Sequence, residues 1–192
     1  MTMKTAHGAL STAPSSNVSE RHPAHTWPLA LYLIALGSIG VALHATVRVP
    51  LHLPGHHGLE WMGLLAFARM TVPRRWSATA TGVAATAVAF LPAWGFHDGM
   101  APLVYLVSAV ALDALCVLIP SRFSPRLVVS LAAALAFSAA GALTFFAGPH
   151  GAALSGPGLG LWLWSHFGFG LAGAFIGTQL GTITMRRLRA NH

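Results

Sequence analysis

Apolar residues in this chain do not alternate with polar ones. They gather into six long blocks separated by short polar stretches. The blocks cover about 27–47, 58–72, 76–94, 101–119, 127–147 and 159–185. Most approach or exceed the ~20 residues with which an α-helix crosses ~30 Å of hydrocarbon. The second block is short and still carries Glu60 and Arg69, so it reads as a tilted helix or one that begins in the preceding loop. Turn-forming residues stand between the blocks, as in Val72-Pro73-Arg74-Arg75 and Gly148-Pro149-His150-Gly151. The pattern predicts an all-α polytopic membrane protein with six transmembrane helices. Residues 1–26 are polar and rich in Ser, Thr, Ala, Pro and His, which predicts a disordered cytoplasmic N-terminal segment ahead of a six-helix transmembrane domain over 27–189. The run from Trp27 is too long for the core of a signal peptide.

Composition agrees with a lipid environment. Of 192 residues, 55% are hydrophobic and 8% charged, against about 25% charged in a soluble domain. The net charge of +7 would suggest a nucleic-acid partner if it lay on one folded surface. Here it lies in the loops. Lys4 and Arg21 precede helix 1, and Arg69, Arg74 and Arg75 mark the 2–3 turn. Arg122 and Arg126 mark the 4–5 turn, while Arg186, Arg187 and Arg189 follow helix 6. All these fall on one side of a six-helix topology, and only Arg48 falls on the other. Basic loops stay in the cytoplasm, so the expected orientation is N-in and C-in, multi-pass in the inner (cytoplasmic) membrane, with lipid and not nucleic acid as the surrounding partner.

That orientation collects the histidines on the outer side. His44 ends helix 1, and His52, His56 and His57 fill the next loop. His97 and Asp98 sit in the second outer loop, His150 in the third, and His166 about two turns into helix 6. Glu60 and Trp61 open helix 2. A helix beginning near His56 places His56 and Glu60 on one face at i,i+4. Imidazole with carboxylate suits Zn, Ni, Co or Fe, which makes His56, His57 and Glu60 the candidate metal ligands. The wider candidate ligand site adds His44, Arg48, His52, Trp61, His97, Asp98 and His166. The same groups suit a polar organic ligand with Trp61 as a stacking wall, or plain residence in the headgroup zone. A His44–His166 pair is also a conceivable axial set for a b-type haem.

Asp113 lies deep in helix 4, where an acid is expensive. Pairing with an arginine such as Arg69 or Arg122 and proton coupling are its two readings. Gly173, Gly177 and Gly181 repeat every four residues in helix 6, and Ser38 with Ala42 offers a smaller version in helix 1. Such stripes allow close helix approach, within the fold or to a partner chain. The single cysteine, Cys116, excludes an internal disulfide and a cysteine metal site. Walker, HExxH and Gly-x-Ser-x-Gly motifs are absent, and no apolar block contains a lysine for a retinal Schiff base.

From Trp27 to Arg189 the layout resembles the substrate-binding S-component of energy-coupling factor (ECF) transporters. A Gly/Pro-containing outer loop leads to a short second helix. The stretch Asp98-Gly99-Met100-Ala101-Pro102-Leu103-Val104-Tyr105-Leu106, then Ala111-Leu112-Asp113, is similar to the start of that family's fourth helix. The Gly-rich segment from His166 to Gly181, followed by Arg186-Arg187, is similar to its last helix. Two features depart from the family. Only Ser38/Ala42 approximates its Ala-x-x-x-Ala face on helix 1. Thr2 stands where nickel and cobalt members carry histidine.

The resemblance implies a non-enzymatic capture subunit that binds a vitamin-like molecule or a divalent transition metal near the outer face. It also implies a transmembrane coupling subunit and ABC ATPases as partners. The alternative is a His-ligated metal or haem protein, acting as an enzyme or as an accessory subunit of a redox complex.

Overall fold

Helices form where the apolar blocks lie. In a computed structural model they are α1 (Thr26–Thr46), α2 (Gly58–Thr71), α3 (Ser77–Ala89), α4 (Ala101–Leu118), α5 (Pro125–Ala147) and α6 (Pro157–Ala190). The structure describes residues 26–47, 53–72, 74–91, 101–120, 122–147 and 157–191. The expectations for the N-terminal segment and for Arg48, His52, His97, Asp98 and His150 fall outside those residues. Three of the helices, α1, α5 and α6, are long and apolar enough to cross a membrane. Large apolar side chains such as Leu31, Phe146, Trp164, Phe175 and Leu180 lie exposed along the helices. A surface of that kind suits lipid rather than water.

α2 is short, at 14 residues, carries both an acid and a base, and occupies the middle. It packs on α1, α3, α5 and α6. Its inward residues Trp61, Met62, Leu65 and Ala66 join Val41, Leu112 and Phe137 in the main core. Neighbouring helices therefore shield a segment whose own length and polarity suit lipid poorly. The closest approach is to α6. Gly173 meets the carbonyls of Gly58 and Leu59, Gly177 meets Gly63, and Gly181 meets Met70. The order rises along both helices, so α2 and α6 run parallel.

Of the two readings of the Gly173, Gly177 and Gly181 stripe, within the fold or to a partner chain, the contact within the fold is the one this geometry displays. α2 of the same chain covers the stripe. A Cβ on Gly177 would collide with the Gly63 carbonyl, and one on Gly173 with that of Leu59. On α1 the close approaches run through Gly37, where a Cβ would stand 2.6 Å from the Thr81 carbonyl oxygen, and Gly40, where it would stand 2.9 Å from the Trp61 ring. Ser38 and Ala42 sit beside these contacts, half-buried, with Ser38 Oγ donating to the Ile34 carbonyl at 3.0 Å.

Arg69, Arg74, Arg75, Arg122 and Arg126 flank the 2–3 and 4–5 turns, at the end of the bundle where α6 terminates. There Asp113 is fully buried. Its Oδ2 accepts from the Thr79 backbone N–H at 2.7 Å and the Thr79 hydroxyl at 2.8 Å. Its Oδ1 faces Arg69 Nη1 at 3.3 Å. Thr79 lies in the first turn of α3, where backbone N–H groups lack helical acceptors, and Trp76 at the N-cap position supplies no side-chain bond. Asp113 therefore caps α3 from α4 while Arg69 balances its charge. Of the two sequence-based readings, the arginine pairing is the one this geometry displays.

Candidate functional site

The opposite end of the bundle gathers imidazoles. α1 ends with His44 in its last turn. The chain then returns through a turn at Pro54 and Gly55, and α2 begins at Gly58. Gly55 has φ +78°, a left-handed conformation that favours glycine. It also touches α6, because a Cβ there would lie 2.8 Å from the His166 ring. Backbone bonds from Gly58 N–H to the Gly55 carbonyl (2.8 Å) and from Leu59 N–H to the His56 carbonyl (3.1 Å) close the turn. Glycine at 55 thus sets both the turn and its seat on α6.

The helix start decides which histidine meets Glu60. α2 begins two residues later than the i,i+4 reading of His56 and Glu60 requires. The pair is instead His57 and Glu60 at i,i+3, with His57 Nδ1 2.9 Å from Glu60 Oε1. A carboxylate accepts, so Nδ1 of His57 is the donor in this pair. Glu60 also stands in the first turn of α2, where the helix dipole favours negative charge. His56 turns away, its Nδ1 donating to the Leu53 carbonyl at 2.8 Å.

His44 stacks on His57 with ring centres 3.8 Å apart and planes inclined by 23°. His56 lies on His57 at 3.9 Å. Among the described residues, His44, His57 and Glu60 each offer a donor atom within 4.8 Å of the others. The donor set that geometry brings together therefore contains His44 where the sequence suggested His56.

Beside this cluster lies a cavity of about 160 Å³. His44, His57, Gly55 and Trp61 line one side of it, with Tyr105 of α4. Phe137, Gly141 and Thr144 of α5 and Trp162 and His166 of α6 line the rest. All helices except α3 contribute. Trp61 is fixed by its Nε1–H donating to Ser108 Oγ at 2.8 Å and by an edge contact with Tyr105 at 4.7 Å. His166 is clamped between Gly55 and Gly141 and stacks on Trp162 at 5.0 Å. Its Nδ1 donates to the Trp162 carbonyl at 2.8 Å. His166 thus forms the wall facing the cluster and does not belong to the donor set.

The sequence missed most of the aromatic wall. Tyr105, Phe137 and Trp162 read as ordinary apolar-block residues. The available signal was the i,i+4 spacing of Trp162 and His166, which puts an aromatic and an imidazole on one face. Gly141 carried no signal, because its role is only to leave room for a ring from another helix. Comparison with known protein families, curated proteins and solved structures finds no match to this chain.

Proposed function

We propose that this chain is the membrane-embedded substrate-capture subunit of an ECF-type transporter. It crosses the inner membrane six times with both termini in the cytoplasm, and it binds its substrate in the histidine-walled cavity at the outer end. The observation that carries the reading is that one small cavity receives walls from five helices and the 53–57 turn. A chain whose role was only to pack would have no cause to converge this many polar-tipped rings on one void. Charge supports the orientation, since the described arginines flank the other end and basic segments stay inside. The turn, seated on His166 through Gly55, is the element positioned to act as a lid.

Size narrows the substrate. Pockets for drug-sized ligands begin at ~300 Å³, and this cavity holds about 160 Å³. A porphyrin between His44 and His166 would need the surrounding rings to move apart, so the cavity favours a smaller ligand. Co-purification from native membranes tests the transporter reading. It expects a transmembrane coupling subunit with ABC ATPases, and recovery of cytochromes or oxidase subunits instead would overturn it. Reporter fusions after Arg75, Arg126 and His192 should read cytoplasmic, and those at Gly99 and Gly151 external. An external C-terminus would break the six-span orientation.

A further inference from the structure

We infer that His44, His57 and Glu60 bind a divalent first-row transition-metal ion of the Zn(II), Co(II) or Ni(II) class. The inference rests on the reading of the adjacent cavity as the capture site, and it names the substrate of that site. Two imidazoles with one carboxylate form a borderline donor set, matched to these ions and poorly matched to Mg(II) or Ca(II), which prefer oxygen donors throughout. Donors bound about 2.0–2.1 Å from one ion lie roughly 3.3–4.2 Å apart. The three donors here already lie within 4.8 Å of one another, and closing the set requires the stacked His44 and His57 rings to tilt toward a common point.

Charge also points to a cation. Glu60 is largely buried, with a side-chain exposure of 16%. Among the described residues its ion-pair partner is His57, and no lysine or arginine lines the cavity. A mostly buried carboxylate beside stacked imidazoles supplies the negative charge that a divalent ion needs. On binding, the ion replaces the His57 Nδ1–H···Oε1 hydrogen bond, and the imidazole proton moves to Nε2. His57 stays neutral, and the ion brings two positive charges to a site holding one negative charge.

Three protein donors leave coordination positions open, as in sites that exchange a ligand rather than lock the metal. Those positions face a cavity of about 160 Å³, several times the ~30 Å³ share of one water. The ion can keep part of its hydration shell there, which suits capture followed by release.

The test uses the full chain in detergent or nanodiscs, stripped with a chelator and titrated with Co(II). Visible absorption follows the metal, and Zn(II) serves as competitor. The expected result is one tightly bound Co(II) per chain, displaced by Zn(II). His44→Ala, His57→Ala and Glu60→Gln should each weaken Co(II) binding by at least about 10- to 100-fold, the loss that even outer-shell changes produce. Glu60→Gln keeps the shape and an acceptor for His57, so its loss reports charge rather than folding. His56→Ala removes a ring that packs on His57 at 3.9 Å but no donor, and should weaken Co(II) binding less than any of the three donor variants. Unchanged Co(II) affinity in all three donor variants would overturn the site. Absence of Co(II) and Zn(II) binding by the wild-type chain would overturn the metal. If native mass spectrometry then showed an organic molecule retained by wild type and lost in Trp162→Ala, the capture reading would survive without the metal. Tight Co(II) binding, with no difference in cellular cobalt or zinc between cells with and without the chain, would overturn capture and leave the metal site standing.

Discussion

Asp113 is a fully buried acid and Glu60 a mostly buried one on helices of one bundle, and their surroundings could hardly differ more. Asp113 is held by fixed partners: the Thr79 hydroxyl and backbone N–H bond its Oδ2, and Arg69 faces its Oδ1 as an ion pair without a hydrogen bond. A guanidinium does not give up its charge, and a backbone N–H does not leave. Glu60 instead meets His57 at 2.9 Å, an imidazole whose ring nitrogens can also serve as metal ligands. Behind His57 stand His44 and a cavity. The first arrangement ties α2, α3 and α4 together. The second leaves donors that a ligand can take over. Burial of an acid alone therefore says little about function, and the exchangeability of its partners separates the two ends.

The comparison breaks most visibly at Asp113. Asp113→Asn removes the charge while leaving Arg69 largely enclosed, with 16% exposure. Breaking a buried pair from one side costs about 3–5 kcal/mol, and the low end applies because Arg69 is near the turn. Chemical or thermal unfolding in detergent should show the loss, with Co(II) affinity of the surviving folded protein unchanged. Lowered affinity at full stability would mean that the two ends are not separate.

A smaller effect is expected where the ends are joined by the α2–α6 contact. Gly177→Leu puts a branched side chain against the Gly63 carbonyl, and overpacking of this kind costs about 1–3 kcal/mol or more. Because α2 carries Glu60 and α6 carries His166, stability and Co(II) binding should fall together. Normal values for both would show that the helices can slide apart freely.

Gly55→Ala sharpens the comparison from the other side. A left-handed conformation costs a non-glycine residue about 1–2 kcal/mol, and the added Cβ would press on His166. The turn should lift from α6 and carry His57 with it. Affinity for Co(II) should fall by about tenfold, the equivalent of 1.4 kcal/mol, while the melting temperature moves little. A large melting shift with intact affinity would assign Gly55 to the fold instead.

Much of the fold was legible in the sequence because lipid-length apolar blocks leave few alternatives. The fourth block, read as 101–119, became Ala101–Leu118, and the fifth, read as 127–147, became Pro125–Ala147. The third ended earlier than read, since α3 stops at Ala89. The site was legible in part. Gathering His44, His57, Glu60, Trp61 and His166 at one end follows from helix direction alone. Choosing His57 over His56 does not, because it depends on a turn whose left-handed glycine delays the start of α2 by two residues. The facing of the Gly173–Gly181 stripe was equally hidden. Spacing announces a close approach, and only the tertiary arrangement says that α2 makes it.

The contrast between the two acids is tested most directly by thermal unfolding of three proteins with and without Zn(II): wild type, Asp113→Asn and Glu60→Gln. A ligand that binds the folded state raises its stability by an amount set by its affinity. Wild type should melt higher with Zn(II). Asp113→Asn should melt well below wild type yet gain the same increment from Zn(II). Glu60→Gln should melt close to wild type and lose most of the increment. A full Zn(II) increment in Glu60→Gln, or its loss in Asp113→Asn, would contradict the division of the bundle into a fixed end and a binding end.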